Sequence, residues 1–504
     1  MRENCGASEP SEFLALAPGV ELRMRREILV VCEMRTLLFG KAITAAIIHH
    51  CPHTVKQLPS FLLFFALPDI SRPHIFAKFD FHPYCSSNAR DATVPLPSAA
   101  KVKRAMRRLD FWASAAIAPL VRECAVTPWP RSSSKSSTTD QPLVLLTAFF
   151  EKLVRFVGVQ IIRATGVYFT QTGVSNLCLL PNLRSLCITK CRTAPGKTIE
   201  VSPLKFQRLS NFEFGGSGSP EKLHIWIPLL RPDHLRELAV DHPLLHALLY
   251  DFNLLPSFPY ARKLSVKVDL SKMSLNLALL SRFPALAVLS MEEELDTGPL
   301  EGGYVAPPGF LPLLKEYTGV HQTLELFLLP SLTHLTISSY CQPRQAIAKL
   351  QAIQSPNNVT TLRVSFESLK NAVFHDFCGF FPALTTPEYD WEVEPEWEIP
   401  EFLETLARSA SLPPRHTQLA LFWTTECMYS ESPPEYANFR TAIMKKYPGL
   451  DALWMGLYGF TSRFRKISDG KVLLEDAIAD DNHDTVKSMC SEFDASWDAL
   501  DVHV

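Results

Sequence analysis

The sequence predicts an α/β fold: an irregular leucine-rich-repeat solenoid with parallel strands on its concave face, preceded by a small helical N-terminal module. Two observations carry this. The stretch Leu180 to Cys191 places Leu183, Leu186 and Ile188 at L-x-x-L-x-L spacing, with Cys191 at the Asn/Cys position of such a repeat. The unit then recurs at near-constant steps. Leu186 and Ile188, two apart, share one face of a short strand, and Leu183 points into the same core from the preceding turn. A unit of this kind cannot bury its apolar edge alone, so copies must stack on either side.

The copies can be read directly. Upstream, Val159, Ile162 and Ala164 form one. Downstream come Leu209, Phe212 and Phe214, then Leu235, Leu238 and Val240, Leu264 and Val266, and Leu286, Leu289 and Met291. Leu332, Leu335 and Ile337, and Leu362 and Val364, follow. Leu419 with Leu421, and Leu450 with Leu453 and Met455, extend the series. From residue 162 to 362 the central positions are separated by 24, 26, 26, 26, 25, 46 and 27 residues, and all but one step fall within the 20 to 29 of a leucine-rich repeat. The long step is expected to hold an insertion, Glu292 to Pro308. Phe381 to Tyr389 matches the spacing but has Pro387 at its centre. A proline cannot donate to a sheet ladder, so that unit is expected to be degenerate.

Composition fits an ordered chain, with 47% apolar and 20% charged residues in 504. The net charge of −2 gives no reason to expect nucleic acid or an anionic membrane as partner. The 12 cysteines form no C-x-x-C pair, and Glu3, Glu9, Glu12 and Glu21 break any secretory leader, so a cytoplasmic or nuclear protein with reduced thiols is expected. The most apolar early window, Thr36 to Ile48, contains Lys41 and is too short to span a bilayer.

In chain order, residues 1–57 stand apart from the repeats, with a helical stripe ending in His49 to His53 (HHCPH). Five consecutive residues rarely supply one tetrahedral ion, so this reads as a surface turn. Residues 58–125 read as a helical module. It opens with the dense apolar run Leu58 to Leu67, passes through Ser71-Arg72-Pro73 to an aromatic cluster, and holds an amphipathic helix in Pro97 to Cys124. That helix sets Val102, Met106, Leu109, Trp112 and Ile117 against Lys101, Lys103, Arg104, Arg107 and Arg108, a solvated basic face. Residues 126–142 are a polar linker. The solenoid is assigned to 143–470, opening on a helix at Leu143 and holding another at Ile399 to Ser409. The acidic segment Glu388 to Glu398 is expected to make a loop on one flank. Residues 471–504 are an acidic cap or tail, with Phe493, Trp497 and Leu500 able to make a short capping helix.

The segment SRPHIFAKF resembles the end of an F-box and its exit into repeats. From about Leu58 to Leu500 the chain resembles the leucine-rich F-box-like proteins abundant in mushroom-forming fungi. The resemblance implies a substrate-recognition subunit of a cullin-type ubiquitin ligase, with a Skp-type adaptor and an unknown protein substrate as partners. Leu58, Pro59, Leu62, Phe65 and Leu67 would meet the adaptor, although the opening L-P-x-E element and first helix of that family are not recognisable. The alternatives are a repeat scaffold with no ligase partner, and an apolar segment that only covers the first repeat. Substrate contacts are expected from the positions beside the strand leucines, Arg184, Arg236, Glu237, His334 and Arg363, with Ser185, Thr333 and Thr361. All should project into solvent.

Motifs for chemistry fail on spacing. The Gly196-Lys197-Thr198 run has Cys191 where a P-loop needs glycine and no helix after it; Gly215 to Ser219 has no G-x-S-x-G register; His242 and His246 flank Pro243 without the glutamate of a zinc helix. No enzyme activity, cofactor or metal is expected.

Overall fold

The computed structural model describes residues 73–81, 99–127, 141–193, 205–215, 223–241, 256–293, 307, 309–351, 358–366, 379–392, 403–404, 406–408, 415–424, 437–457, 460–466 and 472–479. The chain divides into two compact units, 1–78 and 79–504. Of the first, only a helical turn at 73–75 and its exit are described, with the Ala77 amide donating to the His74 carbonyl at 3.4 Å. Leu58, Pro59, Leu62, Phe65 and Leu67, the histidine-rich turn, the Gly196 run and His242 with His246 lie outside the described residues.

The strands are β1 (Lys78–Phe81), β2 (Glu123–Val126), β3 (Ile161–Thr165), β4 (Tyr168–Phe169), β5 (Ser185–Thr189), β6 (Arg192–Thr193), β7 (Asn211–Gly215), β8 (Glu237–Asp241) and β9 (Lys263–Val268). They continue with β10 (Val288–Glu293), β11 (Glu316–Gly319), β12 (His334–Cys341), β13 (Thr361–Phe366), β14 (Thr386–Glu392), β15 (Gln418–Thr424), β16 (Ala452–Leu457), β17 (Phe460–Lys466) and β18 (Val472–Ala479). All but β4 and β6 form one open 16-stranded sheet in chain order, while those two make a separate pair. From β2 to β16 each neighbouring pair is parallel; β17 and β18 turn back antiparallel at the end. Parallel neighbours need a return segment between strands. Here the returns include helices at Gln141–Leu153, Gln171–Cys178, Met273–Leu280, Pro343–Gln351 and Ala437–Lys446. The fold is therefore an α/β sheet that does not close on itself.

The register lines the repeat positions into rows. Cys124, Ile162, Leu186, Phe212, Leu238, Leu264, Leu289, Tyr317, Leu335 and Leu362 are successive partners across the sheet, and all are buried. Two residues on, Val126, Ala164, Ile188, Phe214, Val240, Val266 and Met291 make a second buried row. Three residues before the first row stand Val121, Val159, Leu183, Leu209, Leu235, Ala261, Leu286, Leu314, Leu332, Val359 and Leu384, also buried. These rows belong to one continuous cluster of buried residues. Cys191 bridges units, its thiol donating to Ala164 O at 3.2 Å and accepting from Val167 N at 3.3 Å.

Several expectations are corrected. The long step is not one insertion but also contains β11: Tyr317 stands 28 residues after Leu289 and 18 before Leu335, paired with both. The unit escaped the leucine pattern because Tyr317 and Gly319 replace its two strand leucines. A Cβ on Gly319 would lie 2.0 Å from Tyr317 Oη, so one ring fills the space of two side chains. Glu292 and Glu293 of the expected insertion belong to β10.

The unit around Pro387 is a full strand, with Leu362 opposite Pro387 and Phe366 opposite Trp391. Thr386 N donates to Thr360 O on the β13 side, so the alternating backbone turns residue 387 toward β15 and the ring deletes a bond on that side only. The β14–β15 register accordingly begins at Glu388. The expected flanking loop is therefore strand through Glu392.

At the other end, β1 and β2 join the sheet upstream of residue 143, so the 58–125 stretch is not purely helical. The expected amphipathic helix spans Ala99–Trp112 and buries Leu109, with Trp112 stacked on Phe79 at 4.8 Å. Phe81 stacks on Phe149 at 5.1 Å, so the aromatic end of that stretch is core. Near the C-terminus Asp476 lies in β18; Phe493, Trp497 and Leu500 are outside the described residues. Among the described residues no helix is long and apolar enough to cross a membrane.

Candidate functional site

The residue just before each strand forms a row with its own chemistry. The carbonyl of Gln160 accepts from the amides of Arg184 and Ser185, that of Arg184 from Ser210 and Asn211, and that of Ser210 from Arg236 and Glu237. The staircase continues through Arg236, Arg262, Ala287, Lys315, Thr333, Thr360 and Thr385 to Thr417. Each carbonyl is satisfied twice by the next unit's backbone, so the side chain at this position is free for other use.

Toward the N-terminal half that side chain is mostly basic and exposed: Arg184, Arg236, Arg262 and Lys315. In the C-terminal half it is threonine up to Thr417, with Asp451 before the next strand. The hydroxyls of Thr333, Thr360, Thr385 and Thr417 donate back to the carbonyl one unit earlier, at 3.2, 3.3, 3.1 and 3.4 Å. One position thus serves two purposes along the same edge.

Arg184 and Arg236 meet Arg208, Ser210, Asp233 and His234 around an open groove of about 400 Å³. Arg236 lies over the Tyr260 ring, 5.1 Å from its centre, and donates to Tyr260 O at 3.3 Å. Arg208 donates to Asn182 Oδ1 at 3.3 Å. Asp233 is held by Arg231 through two hydrogen bonds at 2.8 and 3.3 Å, with His234 Nε2 at 3.4 Å. The hydrogen bond from Arg231 lowers the Asp233 pKa, so its carboxylate is charged at neutral pH. The Arg184 side chain makes no hydrogen bond or ion pair among the described residues.

Of the other expected contact residues, Glu237 is exposed at the start of β8, between Asn211 and Lys263 on neighbouring strands. His334 is half-buried, its Nδ1 2.8 Å from Thr333 Oγ1. Thr361 is buried at 6% exposure, contrary to its expected solvation, because its neighbours Thr386 and His334 cover it in register. Arg363 does not project freely: its Nε lies 3.0 Å from Glu388 Oε1, a carboxylate only 4% exposed. A change at Arg363 would remove an ion-pair partner from a buried carboxylate, so this position carries a structural cost.

Arg184 and Arg236 are among the expected contact residues; Arg262 and Lys315 are not, although they stand at the same repeat position. Arg208, Asp233 and His234 come from the returns, where no repeat position marks them. Among the described residues no group of three or more His, Cys, Asp or Glu could hold a metal ion. Burial pushes the thiols of Cys178 and Cys191 up to about 12, which keeps them protonated. A scan against protein-family models finds no match, and neither does a search of curated proteins.

Proposed function

We propose that the chain is a protein-recognition subunit: an irregular leucine-rich-repeat solenoid that holds a protein substrate on its exposed strand face and strand-leading edge. Its F-box-like segment, through Leu58, Pro59, Leu62, Phe65 and Leu67, would dock a Skp-type adaptor and so bring the substrate to a cullin-type ubiquitin ligase in the cytoplasm or nucleus. The mechanism is proximity, with no covalent chemistry in this chain. The observation that carries the recognition reading is the basic row from Arg184 to Lys315, side chains displayed at one repeat position that the backbone does not need. The ligase part rests on the SRPHIFAKF resemblance.

A second reading, a repeat scaffold without a ligase partner, is favoured by one fact: Phe79 and Phe81, at the end of the F-box-like stretch, are wholly spent on the core. Co-precipitation of the full chain with a Skp-type adaptor separates the two. Under the ligase reading the parent binds, and Leu62→Asp with Phe65→Asp abolishes binding while the folded fraction is unchanged. No binding by the parent, or loss that tracks unfolding, leaves the scaffold reading.

A further inference from the structure

We propose that the basic row and its groove bind an acidic segment of a polypeptide in extended form, running across the strands from β5 to β11. This rests on the reading of the chain as a recognition protein and names the chemistry of its partner.

The starting point is a charge imbalance. The chain as a whole carries −2, yet this edge gathers Arg184, Arg208, Arg236, Arg262 and Lys315, none of them in an ion pair with a carboxylate among the described residues. The acid inside the groove, Asp233, is compensated by Arg231. The bonds that Arg208 and Arg236 make go to neutral acceptors and to a ring, which fix the guanidinium planes without neutralising them. Fixed, unneutralised guanidinium groups are suited to carboxylate recognition.

Spacing decides between a concentrated and a spread negative charge. Neighbouring strands lie about 4.8 Å apart, so the cations from β5 to β11 extend over roughly 24 Å. They do not converge on one point, as a single phosphate would require. An extended peptide rises about 3.4 Å per residue and presents alternate side chains about 7 Å apart, so roughly seven residues with acids at every second position cover the row. Glu213 and Glu237, exposed on the adjoining face, oppose a uniformly charged nucleic-acid backbone, whereas a peptide can keep its acids on one side.

The test is fluorescence anisotropy of the full chain with a labelled peptide of alternating Glu and Ser. A Gln-for-Glu version and a single-stranded oligonucleotide of equal charge are run beside it. The acidic peptide should bind, with affinity falling as salt rises, and the Gln version should bind at least about tenfold more weakly. Arg184→Glu with Arg262→Glu should lower affinity at least about tenfold, while Lys103→Glu with Arg107→Glu, on the separate basic helix, should leave it unchanged. Should the reversed pair not fold, Arg184→Gln with Lys315→Gln gives the same test with a smaller loss. The proposal is overturned by no binding, by equal binding of the Gln peptide, by equal or tighter binding of the oligonucleotide, or by folded row variants with unchanged affinity. Partner capture that persists in a folded row variant would sink this proposal alone and leave the recognition reading standing.

Discussion

Gly319→Ala puts the repeat that lacks its leucines under direct test. Three effects compete. Gly319 does not have the positive φ that would strain an alanine, so the smaller entropy of the unfolded chain should stabilise the variant by about 0.4–1 kcal/mol. Against this, the new Cβ would sit 2.0 Å from Tyr317 Oη and 2.4 Å from Cζ. The ring has nowhere to go. It is 1% exposed, stacked on Phe327 at 4.6 Å, and its hydroxyl is bonded to Thr323 Oγ1. Overpacking a filled core costs about 1–3 kcal/mol, and losing the buried hydroxyl's partner adds about 1–3 kcal/mol. Destabilisation should win, by about 1–5 kcal/mol.

Urea denaturation followed by circular dichroism measures the loss as a lower midpoint. Tyr317→Leu, which restores a leucine to the row, supplies the second corner of a double-mutant cycle. The space it opens should receive the methyl group added at position 319, so the double variant should cost less than the two single changes together by about 1–3 kcal/mol. A neutral or stabilising Gly319→Ala, or strict additivity with Tyr317→Leu, would refute the claim that one ring fills the space of two repeat positions.

Leu238→Ala should cost about 2–5 kcal/mol, because Leu238 is 2% exposed between Phe212 and Leu264; Arg236→Ala, an exposed change, should cost under about 1 kcal/mol, and equal midpoint shifts would contradict the division into core and face. His416 stands where the other units carry an apolar residue, three before the strand centre, with both ring nitrogens buried and without a hydrogen-bond partner among the described residues, so His416→Leu should raise the denaturation midpoint at neutral pH. Burial lowers the His416 pKa to about 4, below the 6.5 of the unfolded chain. The parent should therefore keep its full stability from this group above pH 6.5 and lose up to about 3 kcal/mol as pH falls toward 4, a slope that His416→Leu removes; an unchanged slope in the variant would count against the assignment.

What was legible in the sequence was whatever the core imposes on every unit. Leu186, Phe212, Leu238, Leu264, Leu289, Leu335 and Leu362 all belong to one buried row, which Tyr317 completes between Leu289 and Leu335, because neighbouring units must offer each other the same apolar face. The units that were missed or expected to be degenerate satisfy the same demand with other residues. β11 fills two positions with one tyrosine, β14 tolerates a proline because it loses a bond on one side only, and β2 uses Val121, Cys124 and Val126 in place of leucines. The groove was half legible. Arg184 and Arg236 share a repeat position and could be found by reading it, whereas Arg208, Asp233 and His234 reach the groove from segments that follow no period.

The row before the strands differs in chemistry between the two halves of the sheet. Every carbonyl in it is already satisfied by two amides of the next unit, so the backbone makes no demand on the side chain. Threonine at this position returns its hydroxyl to the preceding carbonyl and adds a third donor, which ties the side chain to the sheet. Arginine and lysine cannot shorten themselves to do so, and their charged ends extend into solvent past the same carbonyls. Selection for sheet cohesion alone would favour threonine or serine throughout, as at Ser210, whose hydroxyl also donates to Arg184 O at 3.2 Å. Basic residues at 184, 236, 262 and 315 forgo that bond and leave unneutralised charge on one edge. The proposed acidic partner would meet those charges on the β5–β11 half, while the threonine half keeps its side chains tied to the sheet.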